Sequence, residues 1–327
     1  MLNQKVVLVT GGTGSFGKKF TEILLNKYQL KKLIIFSRDE YKQFEMSRVF
    51  PDRKYPIRYF LGDIRDRDRL YRAFEGVDYV VHAAALKQVP ALEYNPTEAV
   101  KTNVIGADNI VNAAIDAGVK KVIALSTDKA VNPVNLYGAT KLVAEKIFIA
   151  ANAFAGGRVK FAAVRYGNVM GSRGSVFPLF LNLKSKKCRE FPLTDERMTR
   201  FWITLEQGVQ LVIKALDTSE GGEVFIPKVP SMKIVDLARA IEPDCTFKII
   251  GIRPGEKVHE TLISGDESRN TKIDGDNYVI LPQFFDTREV HRQYDQLSSV
   301  PEGFAYTSDT NQHWLTVEHL KQVISGL

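Results

Sequence analysis

A carboxylate, an amine and a phenol cluster in one short stretch of this chain. Ser126-Thr127-Asp128-Lys129 is followed by Tyr137-Gly138-Ala139-Thr140-Lys141. A tyrosine four residues before a lysine shares one helix face with it. An ordinary phenol titrates near ~10 and is a poor base at neutral pH. The ammonium of Lys141 beside Tyr137 favours the phenolate. Reversible oxidation at one carbon needs only the tyrosine and a small hydroxyl residue such as Thr127. Asp128 and Lys129 go beyond that need. Eliminating water beside a carbonyl takes a base for a carbon-bound proton and an acid for the departing hydroxyl. These two residues fill those roles. Lys129 acts as a base only when neutral, and a shift from ~10.4 to near ~7 costs about 4–5 kcal/mol. Burial and nearby positive charge are expected to supply it. Two plainer readings stand beside these: Lys129 pairs with Asp128 and does no chemistry, or Tyr137 and Lys141 are an ordinary amphipathic pair.

The N-terminus carries a loop for an anionic ligand. Thr10-Gly11-Gly12-Thr13-Gly14-Ser15-Phe16-Gly17 follows a short apolar strand and opens a helix. Gly12, Gly14 and Gly17 fit G-x-G-x-x-G, and Gly11, Gly14 and Gly17 fit G-x-x-G-x-x-G. Glycines let the backbone turn sharply and approach a pyrophosphate resting on the helix N-terminus. The second strand ends in Ser37-Arg38-Asp39. NAD sites usually place an acid at that strand end to hold the ribose 2′-OH. Here Ser37 takes the place and Arg38 follows, set for charge-assisted bonds to a 2′-phosphate. The reading favours NADP; the alternative is that Arg38 is a surface charge and Asp39 reaches the ribose. Asp63 and Ile64, after the third strand, suit an adenine contact. Ala84, in Ala83-Ala84-Ala85 after the fourth, allows a close approach of backbone to cofactor. An oxidised nicotinamide would further favour the Tyr137 phenolate, and Lys141 is placed to hold its ribose.

These residues need strand ends to position them. Short apolar runs at 6–9, 33–36, 57–61, 79–81, 122–125 and 161–165 alternate with helical segments. One of those helices is expected over 96–117, stopped by Gly118, and another from Tyr137 to about Phe154. The pattern predicts an α/β, Rossmann-type doubly wound parallel sheet. The rhythm changes after Tyr166. Thr204-x-x-Gln207 has the form of a capping box. Strands near 223–227 and 246–250 and a helix over 233–242 suggest a smaller α/β lobe that closes over a substrate. The expected division is 1–166 for the dinucleotide and 167–327 mainly for the substrate, with an interleaved boundary.

The chain has 327 residues, enough for a large domain and a lobe. With 44% hydrophobic and 25% charged residues it reads as an ordinary globular protein. The formal charge of +7 is spread along the chain and mixed with acids, which argues against a nucleic-acid partner. The densest basic run, Lys184, Lys186, Lys187 and Arg189, reads as a solvated face. Cys188 and Cys245 show no pairing pattern, which suggests reduced thiols in a cytoplasmic protein. The five histidines have no ligand spacing, so no metal is expected. No apolar run approaches the ~20 residues of a membrane span.

Gly11 to Gly17, Ser37-Arg38-Asp39-Glu40, Ser126 to Lys129 and Tyr137 to Lys141 together resemble an extended short-chain dehydrogenase/reductase. So do Arg165-Tyr166-Gly167-Asn168-Val169 and Arg253-Pro254-Gly255-Glu256-Lys257. Within that family the chain most resembles the inverting branch of the UDP-N-acetylglucosamine 4,6-dehydratases, which serves pseudaminic acid synthesis. The likeness runs over nearly the whole chain, including Pro227 to Met232 and Glu302 to Tyr306. The retaining branch carries Asp-Glu in place of Asp128-Lys129.

The resemblance implies bound NADP and a UDP-sugar substrate. Tyr137 would take the C4 hydroxyl proton, Lys129 the C5 proton, and Asp128 would protonate the leaving C6 hydroxyl. Hydride would return to C6, and C5 would be reprotonated on its other face. Lys42, Thr102 and Val169 would join the cofactor surface. Asn168 and Arg253 would hold the diphosphate, since arginine suits bidentate phosphate contacts. Arg173, Gly174, Ser175 and Val176 would line the substrate, Lys87 would lie near both ligands, and Glu256 would orient Arg253. Arg200 is either a substrate contact or a structural ion pair. A homo-oligomer, hexamer or dimer, is implied. The competing readings are a capsule or O-antigen dehydratase/epimerase, a UDP-sugar 4-epimerase and a non-catalytic NADP-binding protein.

Overall fold

Apolar runs too short for helices pair edge to edge, and helices cover both faces of the result. The structure is a computed structural model that describes residues 1–171, 175–283 and 288–325. Its first half runs β1 (Val6–Thr10), α1 (Ser15–Lys27), β2 (Lys32–Ser37), α2 (Glu40–Val49), β3 (Ile57–Leu61), α3 (Arg67–Phe74) and β4 (Tyr79–His82). It continues through α4 (Val89–Tyr94), α5 (Pro96–Ala99), α6 (Gly106–Asp116), β5 (Lys121–Leu125), α7 (Leu136–Phe154) and β6 (Lys160–Val164). Every residue of β1 and β4 is buried, as a strand covered on both faces requires. The six strands pair in parallel in the order β3-β2-β1-β4-β5-β6, the doubly wound order expected.

The helix expected over 96–117 is not uniform. Between α5 and α6 the chain makes a π-helical turn over Val100–Ile105. Such widened turns frequently mark functional sites. Here the turn carries Asn103 inward. Its side chain accepts from Leu86 N at 2.8 Å and donates to Leu86 O at 2.9 Å and Thr140 Oγ1 at 3.1 Å. One amide thus ties the segment after β4 to α7. Gly118, at φ +67°, ends α6 as expected.

The second half runs β7 (Asn168–Val169), α8 (Val176–Ser185), β8 (Glu190–Leu193), β9 (Thr199–Ile203), α9 (Leu205–Thr218), β10 (Val224–Pro227), β11 (Ser231–Lys233) and α10 (Ile234–Ile241). It ends with β12 (Thr246–Ile249), β13 (Thr261–Ile263), β14 (Thr271–Asp274), β15 (Asn277–Ile280), α11 (Arg288–Tyr294), β16 (Tyr306–Thr307) and α12 (Val317–Ser325). The strand expected near 223–227 exists, but it does not build the smaller lobe. β10 pairs in parallel with β6, β15 adds antiparallel, and β14 closes the edge of a nine-stranded sheet. All four residues of β10 are buried, the mark of a strand inside a covered sheet. The capping box of Thr204 and Gln207 forms in both directions, and α9 packs on α1, β5 and β6. The smaller lobe is the parallel pair β8–β12 with α8, α10 and α12 around Phe177, Phe180, Phe191 and Leu237. Cys188 and Cys245 are free thiols. Among the described residues no helix is long and apolar enough to cross a membrane.

One buried ionic cluster joins these parts. Arg165, just past β6, is 1% exposed. Its guanidinium donates to both Glu145 oxygens on α7, at 2.6 and 2.9 Å. It also donates to both Glu267 oxygens at 2.7 and 3.0 Å, and to the Leu262 carbonyl at 3.2 Å. Burial pushes both glutamates up, but Arg165 outweighs it and holds them below their ordinary range. Arg165→Met would leave the buried Glu145 and the half-buried Glu267 without a counter-charge. It is expected to cost about 3–5 kcal/mol in denaturant unfolding. A loss under about 1 kcal/mol would show that the cluster does not hold α7 to the second half.

Candidate active site

The C-terminal ends of the parallel strands open into a cavity of about 620 Å³. The glycine loop lines one end. Gly11 sits at φ +64°, and a β-carbon there would stand 2.9 Å from the Ala84 backbone. Only glycine lets the first loop approach the end of β4 so closely. Gly14 caps α1 with no side-chain acceptor, so the first-turn N–H groups near Ser15 and Phe16 are available to an anion. Two residues expected at the cofactor lie just behind the cavity wall. Gly17 packs α1 against the Gly12 carbonyl. The Thr10 hydroxyl accepts from Ala84 N at 3.2 Å and bonds His82 Nδ1 at 2.9 Å. Burial, then the charge of Lys141, presses His82 down to about 3, so the ring is neutral.

The ends of β2 and β3 line the same space through Ser37, Arg38, Asp39, Lys42, Asp63 and Ile64. Asp39 caps α2: its carboxylate accepts from Lys42 N at 3.0 Å and pairs with the Lys42 ammonium. Arg38 is 56% exposed, with Nη1 3.8 Å from Asp63 Oδ2. Arg65 binds the same carboxylate at 2.7 Å. Burial raises Asp63, but the hydrogen bonds and charge of Arg65, with Arg38, hold it below its usual value. Ala84, Lys87, Thr102 and Val169 also line the cavity.

The chemistry-bearing residues meet at the other end. Asp128–Ala130 forms a single 3₁₀ turn after β5, and α7 lies against it. Gly138 makes that approach possible, because a β-carbon there would fall 2.1 Å from the Lys129 carbonyl oxygen. Tyr137 and Lys141 on α7 both line the cavity with Thr127 and Lys129. Lys141 Nζ donates to Leu125 O at 2.7 Å. Burial lowers its pKa to about 8, although Glu145 one turn on opposes the shift. Burial raises the Tyr137 phenol, while Lys129 and the Thr127 hydroxyl pull it back down.

Lys129 departs from expectation in one respect. Its neighbours are negative. Nζ donates to Asp128 Oδ1 at 2.9 Å and to Asn168 Oδ1 at 3.3 Å, and lies 3.3 Å from Glu260 Oε1. Burial would lower its pKa, but the two carboxylates outweigh burial and raise it. The positive charge expected from the sequence is present in Arg200, Lys257 and Lys87, but Asp128 and Glu260, the latter arriving from far along the chain, outweigh it. Asp128 is 0% exposed and accepts from Thr127 Oγ1 at 2.8 Å. Burial, reinforced by Glu260 and opposed by Lys129, raises its pKa. Asp128 therefore reaches the cavity only through Lys129 and Thr127, and does not line it.

The substrate residues separate into groups. Lys87, Asn168 and Ser175 line the cavity. Val176 follows Ser175 as the first residue of α8 and does not. Arg253 and Glu256 pair at 3.7 Å away from the cavity lining, so the expected pairing is present without the expected place at the cavity. Their loop is held to α7 instead, since Asn135, its N-cap, donates to Gly255 O at 2.7 Å. Arg173 and Gly174 lie outside the described residues. Arg200 resolves toward the ion pair: it donates to the carbonyls of Thr199, Lys257 and Val258 and lies 3.6 Å from Glu260. Sequence reasoning missed Glu260 because no motif surrounds it.

Comparison with known proteins decides the family. Residues 7–282 match the family described as "Polysaccharide biosynthesis protein". The chain belongs to this family. It is 52% identical to a UDP-N-acetylglucosamine 4,6-dehydratase (inverting) of Campylobacter jejuni, covering 99% of this chain and 98% of that one. It is 44% identical to a UDP-glucose 4-epimerase of Rickettsia massiliae, covering 82% and 80%. The X-ray structure of Pen from Bacillus thuringiensis superposes with a TM-score of 0.91 at 39% identity, covering 100% and 98%.

In this member of the family, the contact of α7 with the Asp128–Ala130 turn sets a test. Alanine usually stabilises a helix interior by about 1 kcal/mol over glycine. Gly138→Ala is expected to do the reverse and cost about 1–3 kcal/mol in denaturant unfolding, because its β-carbon meets backbone that cannot swing aside. A stabilised variant would show that helix and turn have room to part.

Proposed function

We propose that this chain is an inverting UDP-N-acetylglucosamine 4,6-dehydratase that works with bound NADP, and that its product, UDP-2-acetamido-2,6-dideoxy-β-L-arabino-hex-4-ulose, feeds pseudaminic acid synthesis. The observation that carries the reading is the Asp128–Lys129 pair beside Tyr137 and Lys141 at one cavity. The relative from Campylobacter jejuni, matched along its whole length, supports it.

The residues present fit a dinucleotide. The Gly11 cradle and the open first turn of α1 suit a pyrophosphate. Asp39 is engaged in capping α2, which leaves the exposed Arg38 guanidinium as the group at the strand end suited to a 2′-phosphate. When bound, the cofactor supplies a hydride acceptor for C4 and returns hydride to C6.

The chain's own residues do the proton work. Tyr137, with Thr127 beside it, removes the C4 hydroxyl proton. Lys129 and the Thr127 hydroxyl favour the phenolate. Lys141, on the same helix face, is mostly charged at neutral pH at its pKa of about 8 and loses that charge as pH rises. The resulting ketone acidifies the C5 hydrogen. Transfer of one proton along the 2.9 Å bond from Lys129 to Asp128 yields an amine base and a carboxylic acid together. The raised affinity of Asp128 for a proton favours this transfer and the raised affinity of Lys129 opposes it, so the ion pair is the resting state and the neutral pair forms during turnover. Lys129 then takes the C5 proton. Asp128 gives its own proton to the C6 hydroxyl through Lys129 or Thr127, and water leaves. A UDP-sugar 4-epimerase is the second reading, which the Rickettsia relative favours. It has no use for an acid–base pair at Asp128 and Lys129.

The experiment is NMR of the purified protein with UDP-N-acetylglucosamine in D₂O and no added cofactor. The expected product is a 4-keto-6-deoxy sugar in the L-arabino configuration with deuterium at C5. UDP-N-acetylgalactosamine as sole product would replace the dehydratase with the epimerase. A second test concerns the cofactor. Arg38→Ala is expected to weaken NADP by about 10–100-fold, since bonds to a charged group are worth about 1.5–3 kcal/mol. NAD should be nearly unaffected in the same titration. Equal effects on both would assign Arg38 to the surface.

A further inference from the structure

We infer that Glu260 is a positioning residue for the elimination step, holding the Lys129 amine in place from the second half of the chain. The inference rests on the dehydratase reading above. Glu260 is 3% exposed, immediately before β13. Its backbone is fixed on both sides: Glu260 N donates to Ser308 Oγ at 2.9 Å, and Ser308 N donates to Glu260 O at 2.8 Å. Ser308 in turn bonds Thr199 Oγ1 at 2.6 Å. The carboxylate is therefore delivered from a rigid frame to within 3.3 Å of Lys129 Nζ.

A purely structural role fits poorly. Arg200 approaches Glu260 at 3.6 Å but directs its hydrogen bonds to backbone carbonyls instead. Glu260 Oε2 has no hydrogen-bond partner among the described residues, nor does Asp128 Oδ2. A buried carboxylate with one empty oxygen is costly unless its charge is used. Lysine is a long, flexible side chain. Asp128 and Glu260 together restrict its amine, with Asn168 as a third contact.

The charged and titratable groups facing Lys129 are Asp128 on its own turn, Glu260 before β13, Arg200 on β9, Lys257 in the preceding loop, Lys87 after β4 and Tyr137 on α7. Glu260 helps to keep the amine protonated between turnovers. Removing its negative charge lets Lys129 lose its proton at lower pH, and also frees the amine to move.

The test uses the wild-type, Glu260→Gln and Glu260→Asp holoenzymes with UDP-N-acetylglucosamine. Single-turnover absorbance of reduced nicotinamide follows oxidation at C4, and deuterium entry at C5 follows Lys129. In Glu260→Gln, C5 exchange is expected to fall about 10–100-fold further than C4 oxidation, the scale of a misplaced catalytic group. Reduced cofactor should accumulate, and the rise of exchange with pH should move to lower pH. Glu260→Asp keeps the charge, so its rise should stay at the wild-type pH while exchange slows. An unmoved pH profile in Glu260→Gln overturns the inference. So does an equal loss of both steps, which marks a structural role. A wild-type protein that never forms the 4-keto sugar overturns the dehydratase reading itself, and the role of Glu260 falls with it.

Discussion

Helix α7 lies so close to the Asp128–Ala130 turn that no β-carbon fits at Gly138. Most of the site hangs on that contact. The helix brings Tyr137 and Lys141 to the same cavity as Thr127 and Lys129. Its N-cap, Asn135, accepts from Gly138 N and donates to Gly255 O, so the start of the helix also fixes a loop of the second half. One turn beyond Lys141, Glu145 anchors the helix to Arg165 and through it to Glu267. A helix held at three points keeps Tyr137 and Lys141 in register with the turn, which is the condition for the short proton transfers of the proposed mechanism.

Electrostatics then divides the two amines. Lys141 has Glu145 as its countercharge one turn away, and burial wins, lowering it to about 8. Lys129 is held by two carboxylates at 2.9 and 3.3 Å, and the charges win. The same burial thus yields a lysine that readily loses its charge and one that keeps it. The proposed mechanism needs a neutral amine at Lys129 and a neutral acid at Asp128. An internal proton transfer between them would create both without importing or exporting charge, which avoids most of the penalty of changing net charge in a buried site.

Glu260 reaches Lys129 on the return of the chain from the smaller lobe: after β10 it passes through β11, α10 and β12 before the loop that ends at β13. The loop from Arg253 to Glu260 runs past the Asp128–Ala130 turn: Lys257 Nζ donates to Val131 O at 2.5 Å, and Gly255 O receives Asn135. β8 and β12 with their helices form a separate layer, apart from the small sheets β7-β9-β11 and β13-β16.

Much of this was readable in the residues. Local periodicity specified the six parallel strands, and glycine spacing specified the loop before α1. The Tyr137–Lys141 spacing specified a shared helix face, and Thr204 with Gln207 a helix start. Each of these is set by neighbours within a turn or two, so the chain itself encodes it. Three matters were decided only by tertiary structure. Apolar content alone could not say whether Val224–Pro227 pairs with the sheet or the lobe, since both bury such a run. Arg253 and Glu256 pair as expected, but their loop docks on α7 rather than at the cavity wall. The balance of charge around Lys129 was decided by Glu260, which lies far along the chain and comes within 3.3 Å only after folding, so that the carboxylates outweigh the positive neighbours. Coulomb interactions depend on distance in space, and sequence separation carries no record of it.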